Sequence, residues 1–228
     1  MFDWFKKKEK IHKLIEIKSL NISIQKLKKE IKIAIIDDQN FPPKNKLQNL
    51  GFNITYFKDI SSLDLIKDFP VIICDIKGIG QEFGGKYEGA FVISEIRKTY
   101  PDKYIIAYST ESYGLEIASF IQKADIIASK GATVEEWSSI LEKAIKHTSD
   151  ASIRWKKTRA SLLDNGIELS DLLELEQRYI LSINNGKNEM EDTSILNRIE
   201  NNLILDIIKA FISSALIEIL KYYTLGKN

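Results

Sequence analysis

The sequence is poor in the residues that build covalent and metal-bound frameworks. Among its 228 residues there is one cysteine, Cys74, which excludes a disulfide within the chain and suits a reducing cytoplasm. The two histidines, His12 and His147, lie too far apart for a zinc site of Cys/His spacing. Lys and Arg number 33 against 32 Asp and Glu, so the chain lacks the basic excess of a nucleic-acid binder.

The sequence predicts neither a secretory signal nor a transmembrane helix. The charged stretch 6–10 is not followed by the apolar core and small-residue cleavage site of a secretory signal. The apolar run after position 203 is interrupted by charges at 206, 209, 218 and 221. Each charge costs about 2.5–3.5 kcal/mol near a bilayer centre, so we do not expect a transmembrane span.

Charge is distributed unevenly, and its distribution predicts three parts. Residues 1–30 hold nine basic and four acidic residues, residues 31–150 hold 14 and 17, and residues 151–228 hold 10 and 11. We interpret these parts as a basic helical arm, a central domain and a helical tail.

The central part alternates apolar strands with helices. Five β-rich runs are predicted to be strands, at 31–36, 52–57, 71–75, 104–108 and 125–129. Helical patterns follow them at 44–50, 61–68, 89–100, 112–123 and 134–147. Five such units predict an α/β fold with a doubly wound, five-stranded parallel sheet of the flavodoxin type. The arm and an all-α tail flank this sheet.

Polar side chains stand where the predicted strands end. Asp37 and Asp38 follow the first strand, and Asp75 ends the third. Ser109 follows the fourth strand and Lys130 the fifth. Because ligands of parallel sheets bind at the carboxyl ends of the strands, we expect these side chains to meet. Clustered carboxylates suit Mg²⁺, and a hydroxyl with a lysine suits a phosphoryl group carried by one carboxylate.

In this set of positions, residues 31–148 resemble the receiver domain of two-component response regulators. The resemblance implies that Asp75 is the phosphoacceptor and that Lys130 and Ser109 hold the acyl phosphate. It also implies a Mg²⁺ site formed by Asp38, Asp75 and the Lys77 carbonyl, with Asp37 binding the ion directly or through water. The implied phosphodonor is a histidine kinase or a phosphotransfer protein, and the implied location is the cytoplasm.

The chain departs from that family at several positions. Gly131 follows Lys130 where the family has proline, and Ile127 stands in place of the strand-five aromatic residue. Tyr108 lies beside Ser109, but strand alternation turns its side chain the other way. These departures favour retained phosphorylation chemistry over the family's usual Ser/Thr–aromatic switch.

A glycine-rich loop allows a rival interpretation. Residues 80–86 fit the pattern G-x-x-x-x-G-K between a strand and a helix, which is typical of a nucleotide-binding P-loop. Tyr87, however, stands where Ser or Thr would bind Mg²⁺, and Asp75 would repel a nucleotide's phosphates. A loop that covers the Asp75 site is the preferred interpretation.

The arm and the tail are predicted to mediate contacts. Phe2, Trp4 and Phe5 beside three lysines are compatible with peripheral membrane contact, whereas an apolar stripe from Ile11 to Ile24 favours docking on the tail or a dimer. The tail has no histidine, so it is not a histidine phosphotransfer module. Its last predicted helix, 195–225, is apolar on most sides, which predicts a homodimer.

Together these features predict a response-regulator-like signalling protein that accepts a phosphoryl group on Asp75 with Mg²⁺. Its output would run through protein–protein contacts of the tail. Apart from slow autodephosphorylation, no conventional enzyme activity is expected. The alternative is a receiver-fold interaction module that works unphosphorylated. The sequence does not name the kinase or the pathway.

Overall fold

The computed structural model describes residues 11–17, 22–84, 87–109, 115–186, 189–191 and 193–214. Within them, five parallel strands form one sheet in the order β2-β1-β3-β4-β5. The strands are β1 (Lys32–Ile36), β2 (Asn53–Phe57), β3 (Val71–Asp75), β4 (Tyr104–Ser109) and β5 (Ile126–Ser129). The predicted doubly wound parallel sheet is confirmed, and every strand end lies within one residue of its predicted position.

Helices connect the strands and continue beyond them. They are α1 (Ile24–Glu30), α2 (Lys44–Asn49), α3 (Glu88–Thr99), α4 (Leu115–Ile121), α5 (Val134–Thr148), α6 (Ala151–Asp164), α7 (Leu169–Asn185), α8 (Thr193–Leu196) and α9 (Asn202–Ile212). Thr133 begins α5 with a capping box, as its hydroxyl accepts a bond from the Glu136 amide and the Glu136 carboxylate accepts one from the Thr133 amide.

The prediction of a helix at 61–68 is wrong. The segment between β2 and β3 forms only a 3₁₀ turn, Leu63–Ile66, which begins at Ser62. Pro70 follows four residues later and disfavours a helical conformation just before it. The connection between β2 and β3 therefore contains no full α-helix.

Each face of the sheet carries its own apolar core, because the strands are apolar along both sides. On one face, side chains such as Ile33 and Ile73 pack with Trp137 and Leu141 of α5. On the other face, Ile36 and Cys74 belong to the core that includes α3. Cys74 is fully buried as a small apolar side chain, as predicted.

The core on the α5 side continues into the tail. Trp155 of α6 and Tyr179 of α7 are buried and stacked, with ring centroids 5.3 Å apart. Phe211 of α9 packs on both rings. The core therefore crosses the predicted boundary at residue 150, and the division of the chain into three parts stays a prediction.

The last predicted helix is not continuous. Helix α8 ends at Leu196, and α9 starts anew at Asn201, whose side chain accepts bonds from the amides of Leu203 and Ile204 at 2.9 and 3.3 Å. The apolar side of α9 is buried within the chain rather than left for a partner. The part of the prediction beyond 214 lies outside the described residues. Of the described helices, none is long and apolar enough to cross a membrane.

The described part of the arm lies against the tail. The Gln177 side chain accepts a bond from the His12 amide at 2.7 Å and donates one to the His12 carbonyl at 2.8 Å. Leu14 and Ile17 pack on the core, whereas Ile11 and Ile15 are 69% and 90% exposed. The prediction that Ile11 and Ile15 are part of the buried stripe is therefore wrong. The membrane-contact prediction falls on residues 2–8, outside the described residues.

Candidate functional site

Three carboxylates meet where two neighbouring strands end. Asp37 and Asp38 follow β1, and Asp75 is the last residue of β3, which pairs with β1 in parallel. One carboxylate oxygen of each lies within 4.8 Å of the others. Asp37 and Asp75 are buried and Asp38 is exposed. The donor set is all oxygen and carries like charges, so it fits a hard divalent cation such as Mg²⁺ that reaches it from the exposed side.

A glycine brings the loop after β3 against these acids. Gly78 has a φ of +77°, and a Cβ added there would lie 2.4 Å from Oδ2 of Asp38. Only glycine permits both the left-handed backbone and this close approach. The preceding residue, Lys77, lies in the same loop, and its amide faces Oδ1 of Asp75 at 3.4 Å. The loop that carries the predicted carbonyl ligand therefore lies beside the acidic cluster.

Lys130 follows β5 and reaches past β4 to Asp75 at the end of β3. Its ammonium donates a hydrogen bond to Oδ2 of Asp75, while Oδ1 accepts one from the Ile76 amide at 2.7 Å. Burial raises the pKa of Asp75 above its ordinary value, although the hydrogen bond and the charge of Lys130 oppose that rise. A cation beside this carboxylate favours its ionised form, which is the form that can act as a nucleophile.

Helix α3 starts close against the end of β3. A Cβ at Gly89 would lie 2.0 Å from the carbonyl oxygen of Asp75, so the helix can begin here only with glycine at this position. Glu88, just before it, accepts a hydrogen bond from the Gly78 amide at 2.7 Å. This contact ties the beginning of α3 to the loop that holds the acidic cluster.

Ser109 ends β4, one residue beyond the residue that pairs with Asp75. In the register of the sheet, Tyr108 lies opposite Asp75, and Ser109 lies opposite Ser129. Ser109 is half-buried. Ser109 lies at the carboxyl end of its strand, as predicted. Its contact with a phosphoryl group stays a prediction. Thr110 lies outside the described residues.

Two tyrosines of the site were not predicted. The Tyr108 hydroxyl donates a hydrogen bond to Oδ2 of Asp37, and the Tyr56 hydroxyl donates one to the Asp37 carbonyl at 2.6 Å. The Tyr108 side chain points away from that of Ser109, as strand alternation predicts. Asp75, which pairs with Tyr108, lies on the same side of the sheet as Tyr108. The residues Ile35, Ile73, Ile106 and Ala128 share one core, and two positions further along the chain from each stand Asp37, Asp75, Tyr108 and Lys130. This alternation was the signal that identifies Tyr108.

The geometry of the glycine-rich loop argues against a nucleotide site. The amides of Gly80 and Gln81 donate to the Asp59 carboxylate at 2.6 and 3.4 Å, and the Gly78 amide donates to Glu88. A P-loop instead presents free amides to phosphate. Lys86, the lysine of the motif, lies outside the described residues.

Proteins similar to this chain are found among solved structures. No protein-family model and no curated protein matches the sequence. Among solved structures, a CheY-like response regulator receiver domain protein from Methanospirillum hungatei JF-1 is similar at 17% identity, over 52% of this chain and 95% of that one, with a TM-score of 0.44. The receiver domain of NtrX from Brucella abortus is similar at 21% identity, over 50% of this chain and 98% of that one, with a TM-score of 0.42.

A response regulator from Thermotoga maritima is similar at 20% identity, over 51% of this chain and 98% of that one, with a TM-score of 0.41. The strand order of the sheet, read from the chain itself, is the flavodoxin-type order. The part of the chain from β1 to β5 therefore forms a doubly wound, five-stranded parallel sheet of the flavodoxin type.

Proposed function

We propose that this chain is a response-regulator-like signalling protein in which Asp75 accepts a phosphoryl group with the help of Mg²⁺. The observation that carries the proposal is the convergence of Asp37, Asp38 and Asp75 with Lys130 at one edge of the sheet. An acidic cluster alone is common, but here the Lys130 ammonium contacts one of the three carboxylates, that of Asp75.

In this proposal each residue has a chemical role. An oxygen of Asp75 attacks the phosphorus of the donor, a new O–P bond forms, and the bond from phosphorus to the leaving group breaks. Lys130 neutralises the charge of the resulting phosphoryl group, and Ser109 donates a hydrogen bond to it. Asp37, Asp38, Asp75 and the Lys77 carbonyl would hold Mg²⁺, which would neutralise charge at the transferring oxygens.

The proposed partners follow from this chemistry. The phosphodonor is a histidine kinase or a phosphotransfer protein, and the proposed place of action is the cytoplasm. The output runs through the tail, whose helices pack on the same core as the sheet. Ile127, which stands in the position of the family's switch aromatic, is 58% exposed. Because an isoleucine replaces the aromatic residue here, we expect an output that does not use the usual aromatic relay.

Phosphorylation by a small donor tests the proposal. The full chain incubated with acetyl phosphate and Mg²⁺ should gain one phosphoryl group by intact mass, because the metal lowers the charge repulsion between the donor and three carboxylates. With the metal removed by EDTA the gain should disappear. Absence of any gain with Mg²⁺ would contradict the proposal and favour the unphosphorylated interaction module.

Self-association is a separate proposal about residues 215–225. Their sequence continues the apolar pattern with Leu216, Ile219 and Leu220, and we expect them to join two copies into a homodimer. Light scattering at micromolar concentration should give the mass of a dimer for the wild type. The double change Leu216→Glu and Ile219→Glu should give the mass of a monomer. A monomeric wild type would show that this segment does not pair two chains.

A further inference from the structure

Tyr108 stands inside the acidic site without a role in the proposed chemistry. It is the residue of β4 that pairs with Asp75, and only 2% of it is exposed. Its ring is held edge-on by Phe41 and Trp137, with centroids 5.3 and 5.8 Å away. A ring packed in this way fixes where its hydroxyl points.

The hydroxyl points at Asp37, the most deeply buried of the three acids. It donates to Oδ2 of Asp37, whose other oxygen, Oδ1, accepts from the Gln39 amide at 2.9 Å. Burial and the bond to Asp37 both raise the pKa of Tyr108, so its hydroxyl stays a neutral donor. The orientation of this carboxylate is therefore set by two donors, one of which is a side chain.

The same ring lies next to the lysine of the site. The Lys130 ammonium is 4.7 Å from the Tyr108 ring centroid while it contacts Asp75. The electron-rich face of a tyrosine attracts a cation at this distance. Tyr108 thus touches one proposed metal ligand with its hydroxyl and the proposed phosphoryl-binding lysine with its ring.

We propose that Tyr108 is a positioning residue that holds the Asp37 carboxylate in the orientation in which it joins Asp38 and Asp75 around a divalent cation. The inference rests on the proposed Mg²⁺ site. A carboxylate that binds a metal is commonly oriented by a hydrogen bond to its other lone pairs, and loss of such a partner typically weakens metal binding about 10–100-fold.

A Mg²⁺ titration of the full chain tests this role. Trp137, which contacts Tyr108, reports binding through its fluorescence. Tyr108→Phe, which keeps the ring and removes the hydroxyl, should raise the Kd for Mg²⁺ about tenfold. The same change in an Asp37→Asn background should leave Kd unaltered, because the carboxylate on which Tyr108 acts is then gone. Unaltered thermal unfolding would show that the loss is not a loss of the fold.

Tyr104→Phe is the matched control, since Tyr104 is a buried tyrosine of the same strand and face that packs on His147 instead of the site. It should leave Kd unchanged. An unchanged or lower Kd in Tyr108→Phe, or an equal loss in the Asp37→Asn background, would overturn the positioning role alone. A wild type that shows no response to Mg²⁺ would overturn the proposed metal site as well.

Discussion

Replacing Asp75 by Asn should abolish Mg²⁺-dependent phosphorylation of the full chain by acetyl phosphate. The amide has nearly the shape of the carboxylate but lacks its negative charge, so it is a far weaker nucleophile and a weaker ligand for a hard cation. Intact mass spectrometry after equal incubation measures the result. Asp64→Asn, at an exposed acid on the turn between β2 and β3, is the control and should be phosphorylated like the wild type.

Lys130→Ala should slow the same reaction without abolishing it. The ammonium contacts the attacking carboxylate and would neutralise charge on the transferred group, and loss of one such stabilising group typically costs about 10²–10³ in rate. Lys123→Ala, at an exposed lysine on the turn after α4, should leave the rate unchanged. An Asp75→Asn variant that gains phosphate as the wild type does would show that the phosphoacceptor is misassigned.

Breaking the ion pair between Asp102 and Arg154 should destabilise the protein strongly. Oδ2 of Asp102 accepts bonds from Nε and Nη2 of Arg154 at 3.1 and 2.5 Å. Both residues are buried, with Arg154 only 1% exposed. Burial alone would raise the pKa of Asp102, but the charges of Arg154 and Lys103 bring it below its ordinary value. The pair is therefore fully ionised and desolvated.

Asp102→Ala leaves the Arg154 charge buried without its partner, which typically costs about 3–5 kcal/mol of unfolding free energy. Urea denaturation followed by circular dichroism measures this loss. Arg198→Ala removes a half-exposed arginine that pairs with Asp171 and Glu174, and should cost at most about 1 kcal/mol. Equal, small losses in both variants would contradict the account of the buried pair.

This ion pair also joins the tail to the sheet. Asp102 precedes β4, Arg154 belongs to α6, and Nη2 of Arg154 donates a further bond to the Ser214 hydroxyl at 2.8 Å. Phe211 of α9 packs on the same guanidinium, 5.2 Å from its ring centroid. The contact lies near the amino end of β4, whereas Asp75 lies at the carboxyl end of β3.

The strands and the acidic site were predictable for the same physical reason. Strands covered on both faces are apolar throughout, so the β-branched apolar run at 71–74 is recognisable in the sequence. All parallel strands end on the same side of the sheet, so the residues after them were expected to lie there together. Asp37 and Asp75 follow from the neighbouring strands β1 and β3, and the long Lys130 side chain reaches Asp75 past β4. The contact of Tyr108 with Asp37 depends in addition on the register of β4, which a single strand does not reveal.

The tail was less predictable because its contacts are long-range. Arg154 stands in a basic stretch with Lys156 and Lys157 that suggests a solvated surface, yet it is buried against Asp102, 52 residues away in the chain. The apolar pattern of 195–225 predicts helix throughout and does not show that Asn201 starts a new one. Local periodicity fixes which side of a helix is buried, but not which partner covers it.

The most direct test of the central claim is to locate the phosphoryl group. An acyl phosphate on aspartate is reduced by sodium borohydride to homoserine, and peptide mass spectrometry identifies the altered position. After incubation with acetyl phosphate and Mg²⁺, we expect homoserine at position 75 and at no other aspartate, and none when EDTA removes the metal. An unaltered Asp75, or homoserine formed elsewhere in the chain, would contradict the account.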